Sequence, residues 1–296
     1  MRVFILGATG FIGSHIVETL LDEGHSVVGV ARDKKAFAKF GGRVAAVKGD
    51  ITNPMTWRTH MLHCDASINL VGLIRERKSK GLTYERVVVQ GTKNWLRECE
   101  EAGVKRAVYV SAIGADPKGT GYQRSKWAAE QATRKADLEW TIVRPSFVSG
   151  EEGAIPQFAS LLKFKLAPYW GKQEYYFDPV DVDDLAAMIV KSLKSPKARR
   201  RVYSVGGPDR LTYKEMLAKI AKAEGRRPWF IRLPWFVAYL IGFFLGWMPF
   251  FPATLENFRM LRGGSSAADQ EWTKDLGITP THFDESLRRH LRPRAP

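Results

Sequence analysis

Only two cysteines occur in 296 residues. Cys64 and Cys99 are too few for a disulfide framework and are not spaced as metal ligands, so they read as buried thiols of a reducing compartment, and no metal site is expected. No segment of low complexity and no fixed-period repeat is present, which excludes solenoids and long disordered tails. Acidic residues are few beside basic ones, 31 against 46, leaving a net charge of +15. The basic residues do not interleave with aromatics as in a nucleic-acid module, so nucleic acid is not an expected partner and an anionic lipid surface is the favoured one. Lys194 to Arg201 reads as solubilising surface. No cleavable leader is apparent, because the first strand starts within three residues of Met1, and the expected location is cytoplasmic.

Long apolar runs are also scarce, with one exception. Leu233 to Leu255 carries no charge and contains Trp235, Phe236, Tyr239, Phe243, Phe244, Trp247, Phe250 and Phe251. Pro234, Pro249 and Pro252 leave about 14 residues of uninterrupted helix, roughly 21 Å, short of the hydrocarbon thickness of a bilayer. A transmembrane span is therefore not expected. Two readings stand: a segment lying in an anionic interface on the inner face of the membrane, flanked by Arg226, Arg227, Arg232, Arg259 and Arg262, or a buried helix closing a smaller lobe.

What the chain has is a short apolar strand running into Gly7-Ala-Thr-Gly-Phe-Ile-Gly13 and then a helix with the stripe Ile12, Ile16, Val17, Leu20. This is the context a dinucleotide loop requires. Gly7 permits a sharp turn, Gly10 leaves room for a pyrophosphate, and Gly13 lets the helix pack closely on the sheet. Thr9, Phe11 and Ile12 complete the loop, where the helix N-terminus turns its free N–H groups toward phosphate.

Ser26 to Val30 reads as the second strand, and the residues after it bear on the cofactor. A site selecting NAD places a carboxylate there for the ribose hydroxyls. This chain has Ala31 and Arg32, and a guanidinium suits a 2′-phosphate, so NADP(H) is favoured over NAD(H), with Asp33 the competing possibility. Lys34 and Lys35 read as solvated loop.

Further strands at Val44–Lys48, Ala66–Leu70, Ala107–Val110, Thr141–Val143 and Val202–Val205 alternate with helices, which predicts an α/β fold with a doubly wound parallel sheet of Rossmann type and a smaller C-terminal lobe. Residues 1–145, rejoined by 180–205, make the expected dinucleotide-binding domain. Residues 146–179 and 206–296 make the smaller substrate or partner lobe, with the aromatic segment 233–255 inside it.

Asp50 and Ile51 follow the third strand, where they would meet the adenine. Asn69, Val71 and Gly72 end the fourth, beside the expected pyrophosphate and ribose. Asp50 and Asn69 also suit turns that satisfy their own backbone. Tyr122 and Lys126 lie four apart on a helix, so both project from one face, and the ammonium is expected to favour the phenolate and lower the phenol pKa. A phenol tuned in this way moves protons between a carbonyl and an alcohol. Asp183 is read as a helix cap, and Thr212 with Glu215 as a capping box.

With Gly7 to Gly13, Ser111, Tyr122, Lys126, Val143-Arg144-Pro145 and Val180 to Ala186, the chain resembles an extended or atypical short-chain dehydrogenase/reductase. Asn69-Leu70-Val71-Gly72 and Val110 to Ala115 resemble most the group related to the nucleotide-binding accessory subunit of respiratory complex I. The resemblance covers about residues 1–225. It implies Tyr122 as acid/base, Lys126 on the nicotinamide ribose, Ser111 polarising the substrate, and Pro145 against the cofactor. Sugar-modifying members carry a hydroxyl one or two places beyond Ser111, where this chain has Ala112 and Ile113. Two functions follow: an NADP(H)-dependent oxidoreductase acting on a lipophilic carbonyl or alcohol, quinone-related or isoprenoid, at the membrane surface; or a non-catalytic nucleotide-binding accessory or assembly protein of a membrane protein complex such as complex I.

Overall fold

Seven parallel strands account for the β-branched runs of the sequence. A computed structural model describes residues 1–172, 175–244, 254–267 and 269–291. In it β1 (Arg2–Leu6), β2 (Ser26–Ala31), β3 (Val44–Lys48), β4 (Ala66–Asn69), β5 (Arg106–Val110) and β6 (Glu139–Pro145) join the strand Arg201–Val205 in one sheet. The order is Arg201–Val205, β6, β5, β4, β1, β2, β3, and every neighbouring pair is parallel. Chain order reverses between β1 and β4. Ligands of such sheets bind at this switch point, beyond the strand C-termini.

Crossovers are made by helices, among them α1 (Phe11–Asp22), α2 (Gly91–Glu101) and α3 (Gly121–Lys135). The inner strands, such as β1 and β5, are buried on both faces, as in a parallel sheet covered by helices. One buried cluster gathers Phe4, Leu6, Val28 and Tyr109 from the strands with Trp57, Trp95, Leu96 and Ala129 from the crossovers. Cys64 and Cys99 are buried free thiols, and burial pushes both upward in pKa.

The chain divides into two compact units. The first comprises Met1–Pro145, Asp183–Val205 and Gln270–Ile278. The last of these segments departs from the expectation that everything after residue 206 lies in the smaller lobe. Trp272 is fully buried, Asp275 accepts from the Tyr203 hydroxyl at 2.9 Å, and Glu271 pairs with Arg201 at 2.8 Å. Asp183, expected to precede its helix as a cap, is instead the second residue of it. It sits inside the first turn of Val182–Lys194, with its carboxylate 2.6 Å from His15 Nδ1 on α1.

The second unit comprises Ser146–Val182, Gly206–Asp269 and Thr279–Pro296. It has its own core, including Ile155, Trp170, Phe177, Tyr213, Met216, Ile220, Phe258, Phe283 and Leu287. Thr212 and Glu215 form the expected capping box at the start of helix Tyr213–Ala223. Within the aromatic segment, Trp235–Phe244 is helical and a second helix runs Leu255–Gly263. The intervening part of that segment, 245–253, lies outside the described residues. None of the described helices is long and apolar enough to cross a membrane.

Candidate functional site

At the switch point, the end of β1 and the end of β4 touch. Gly7 has φ +89°, a conformation that side chains rarely adopt, and a Cβ on it would stand 3.2 Å from Leu70 Cβ. A Cβ on Gly13 would fall 2.1 Å from the Gly7 carbonyl oxygen, so the first turn of α1 lies directly on the loop. Gly10 is different. A Cβ there would meet only Gly7 O at 3.4 Å, so the space outside the loop is open. Gly10 is also the N-cap residue, with no side-chain cap, and no acidic residue lies in the first turn. An exposed, uncapped helix N-terminus beside a cleared surface is a phosphate cradle, and these residues fit a bound dinucleotide.

Beyond β2, Arg32 is exposed and makes no hydrogen bond or ion pair among the described residues. Asp33 is engaged otherwise: it caps the 3₁₀ turn Lys34–Phe40 by accepting from the Lys35 N–H at 2.9 Å. That turn delivers a cation the sequence reading missed. Phe37 and Phe40 are buried, with Phe37 packed on Gly29, and Lys39 is thereby turned back onto the glycine loop. Its ammonium donates to Ser14 Oγ and approaches Thr9 O at 3.4 Å. The signal was the Phe37/Phe40 spacing, which anchors one face of a 3₁₀ turn. Lys34 and Lys35 are exposed, as expected.

Asp50 and Ile51 hold the next loop. Asp50 Oδ1 accepts from the Thr52 N–H and hydroxyl, both at 2.8 Å, while buried Ile51 packs on Gly91. Asn69 does not line the site: its side chain is fully buried, donating to Thr92 Oγ1 at 3.4 Å and accepting from the Val71 N–H at 3.0 Å. It shapes the Val71–Gly72 turn. Gly72 is exposed, and a Cβ on it would stand 3.5 Å from Lys126 Nζ. Pro145 is buried at the end of β6, where its carbonyl accepts from the Ile113 N–H at 3.2 Å.

Tyr122 and Lys126 stand on α3, which Thr120 and Gln123 start with a capping box. Their electrostatics reverse the expectation. Burial pushes the Tyr122 phenol up to about 12 instead of down. Lys126 is buried and pushed down to about 8, because its charge is poorly solvated. Its ammonium donates to Val110 O at 2.9 Å and lies 5.1 Å from the centre of the Tyr109 ring. The Tyr84 ring meets Tyr122 edge-on at 6.2 Å.

Ser111 is not available to a substrate. It is buried and its hydroxyl donates to Glu130 Oε1 at 2.6 Å. Glu130, fully buried on α3, is clamped by Arg144 Nε at 2.8 Å and Nη2 at 2.5 Å. A buried carboxylate needs such partners, so Ser111 serves the join between α3, β5 and β6.

The parallel sheet, the glycine loop at its switch point and the Tyr122/Lys126 pair on the following helix define an NAD(P)H-binding fold of the extended short-chain dehydrogenase/reductase type, an oxidoreductase fold. The chain belongs to the NAD(P)H-binding family, whose model matches residues 7–196. It is 29% identical to subunit 9 of the NADH dehydrogenase [ubiquinone] 1 alpha subcomplex, mitochondrial, of Mus musculus, over 97% of this chain and 79% of the relative. It is also 29% identical to a ceramide reductase of Caulobacter vibrioides, over 78% of this chain and 73% of that one. Among solved structures, MoeE5 in complex with UDP-glucose and NAD shares the fold, with a TM-score of 0.74 at 21% identity over 97% of this chain and 96% of that one.

Proposed function

We propose that this protein is an NADP(H)-dependent reductase of a lipophilic carbonyl compound. Gly7, Gly10, Gly13 and the N-terminus of α1 hold the pyrophosphate, and Arg32 with Lys39 holds the 2′-phosphate. Asp33 is committed to its cap, which favours the phosphorylated cofactor over the ribose diol of NAD. Asp50, Ile51, Val71, Gly72 and Pro145 line the rest of the dinucleotide path, and Lys126 faces the ribose beside Gly72. The bound nicotinamide supplies the hydride.

One observation carries the reading: Tyr122 and Lys126 stand one turn apart on α3 beside the exposed Gly72, where a Cβ would stand 3.5 Å from Lys126 Nζ. The Tyr122 phenol, protonated at neutral pH, gives its proton to a carbonyl oxygen as hydride reaches the carbon. No serine assists, since Ser111 is tied to Glu130. The lipophilic substrate class is supported by the name of the ceramide reductase relative. The same sequestered serine, with the subunit name of the mouse relative, favours a second reading: a nucleotide-binding accessory protein of a membrane protein complex.

Following NADPH oxidation with long-chain ketones and quinones tests the proposal. Turnover that Tyr122→Phe abolishes, with NADPH affinity kept within a few fold, is the expected result; no turnover across the panel leaves the accessory reading. For the cofactor, Arg32→Ala and Lys39→Met should each weaken NADPH by roughly 1.5 to 3 kcal/mol and leave NADH unchanged. Equal affinities of the native protein for the two nucleotides, measured by calorimetry, would overturn the 2′-phosphate assignment.

A further inference from the structure

We infer that the second unit carries a face built to dock on an anionic bilayer. The helix Trp235–Phe244 is apolar on all sides, a composition expected of a helix buried all round. Only part of it is buried. Trp235 stacks on Trp170 and Tyr239, Ala238 is fully buried, and Gly242 lies so close to the second helix that a Cβ would stand 2.9 Å from Leu255 backbone. Phe236, Leu240 and Phe243, spaced i, i+4 and i+7, share the other face and are 62%, 50% and 68% exposed. They line an apolar groove of about 480 Å³ with Tyr239, Leu255 and Arg259.

A second apolar surface lies just before this helix. Strand Trp229–Leu233 pairs in parallel with Leu166–Trp170, with Trp229 opposite Leu166 and Ile231 opposite Pro168. The pleat puts these four on one face, and all four are exposed, Trp229 at 78%. Surfaces of this size on a soluble domain mark an interaction site.

Charge decides the occupant. Residues 226–262 carry five arginines, one glutamate and no lysine or aspartate. Arg259 lines the groove, while Arg262 donates to the Tyr239 hydroxyl at 3.0 Å and lies over the Trp235 ring. A second copy docked on the same face would set arginines against arginines. Aromatic side chains bordered by guanidinium groups instead match a bilayer, whose anionic headgroups take the arginines while the rings enter the headgroup and acyl boundary. This inference is independent of catalysis.

Co-sedimentation of the whole protein with vesicles tests it, using phosphatidylcholine alone or mixed with phosphatidylglycerol. At low salt the mixed vesicles should bind far more protein. Arg227→Gln with Arg259→Gln should lower that binding by roughly thirtyfold, two basic residues at about 1 kcal/mol each. Phe236→Ser with Phe243→Ser should lower binding to both vesicle types and remove the portion that resists high salt. Near-ultraviolet circular dichroism of the aromatic core around Trp170, Phe177 and Tyr213 should stay unchanged in both variants and so report that the second unit is folded. Native protein that stays in the supernatant with both vesicle types overturns the inference. So does pelleting with native membranes but not with protein-free vesicles, which assigns the face to a membrane protein.

Discussion

Lys126 shows how a single buried charge ties stability to chemistry. Its pKa is lowered from 10.5 to about 8 by burial, so between these values the unfolded chain binds more protons than the folded one. Stability therefore rises with pH across that window, and the full cost of the buried charge, on the order of 3 kcal/mol, is present below about pH 8. Lys126→Met keeps a long unbranched side chain and removes the charge, but loses the hydrogen bond to Val110 O. The expected outcome is a protein about 2 kcal/mol more stable at pH 7, with the advantage gone near pH 10.5, and without turnover. Urea unfolding at the two pH values checks this; an equal gain at both would mean that the buried charge is not its source. The same titration sets the pH dependence of activity. Reduction should fall as pH rises through about 8, because the neutral amine loses the charge that strengthens its hydrogen bonds to the cofactor ribose.

Among elements, the turn from β1 into α1 divides its glycines between folding and binding. Gly13→Ala forces a methyl against the Gly7 carbonyl, a backbone group that cannot swing aside, and should cost about 1 to 3 kcal/mol even without nucleotide. Gly10→Ala meets only an ordinary contact and should leave the thermal midpoint nearly unchanged, yet its methyl stands where the phosphates lie. Melting curves without ligand and calorimetry with NADPH separate the two effects; a Gly10→Ala protein that binds normally would remove the phosphate from this loop. This element was legible in the sequence because its logic is local: strand, glycine spacing and apolar stripe are neighbours. Lys39 was not, since two buried phenylalanines and a 3₁₀ turn carry it back to Thr9 and Ser14. Nor were Ser111 and Asn69, whose partners Glu130 and Thr92 come from the helices α3 and α2. The direction of the Tyr122 and Lys126 shifts was hidden for the same reason. Spacing along a helix predicts which charges share a face, while burial depends on what the rest of the fold lays over them.

At the scale of the molecule, the chain enters the nucleotide-binding unit three times, the last at Gln270–Ile278. This short return is held by the fully buried Trp272 and by the pairing of Tyr203 with Asp275 and of Arg201 with Glu271, both on the strand at the sheet edge. The nucleotide-binding unit is therefore not a separable N-terminal piece, and its stability depends on residues more than sixty positions beyond its last strand. Trp272→Ala should remove about 3 to 5 kcal/mol, the cost of emptying a large buried site. Arg201→Ala, which breaks only surface pairs to Glu271 and Asp275, should cost about 1 kcal/mol or less. A saturating excess of NADPH, at 100 times its Kd, restores about 2.7 kcal/mol to any variant whose binding unit still folds. Chemical denaturation with and without NADPH is the measurement. If Trp272→Ala unfolds with native stability and the nucleotide shifts both proteins equally, the return segment is an appendage and the unit is complete without it.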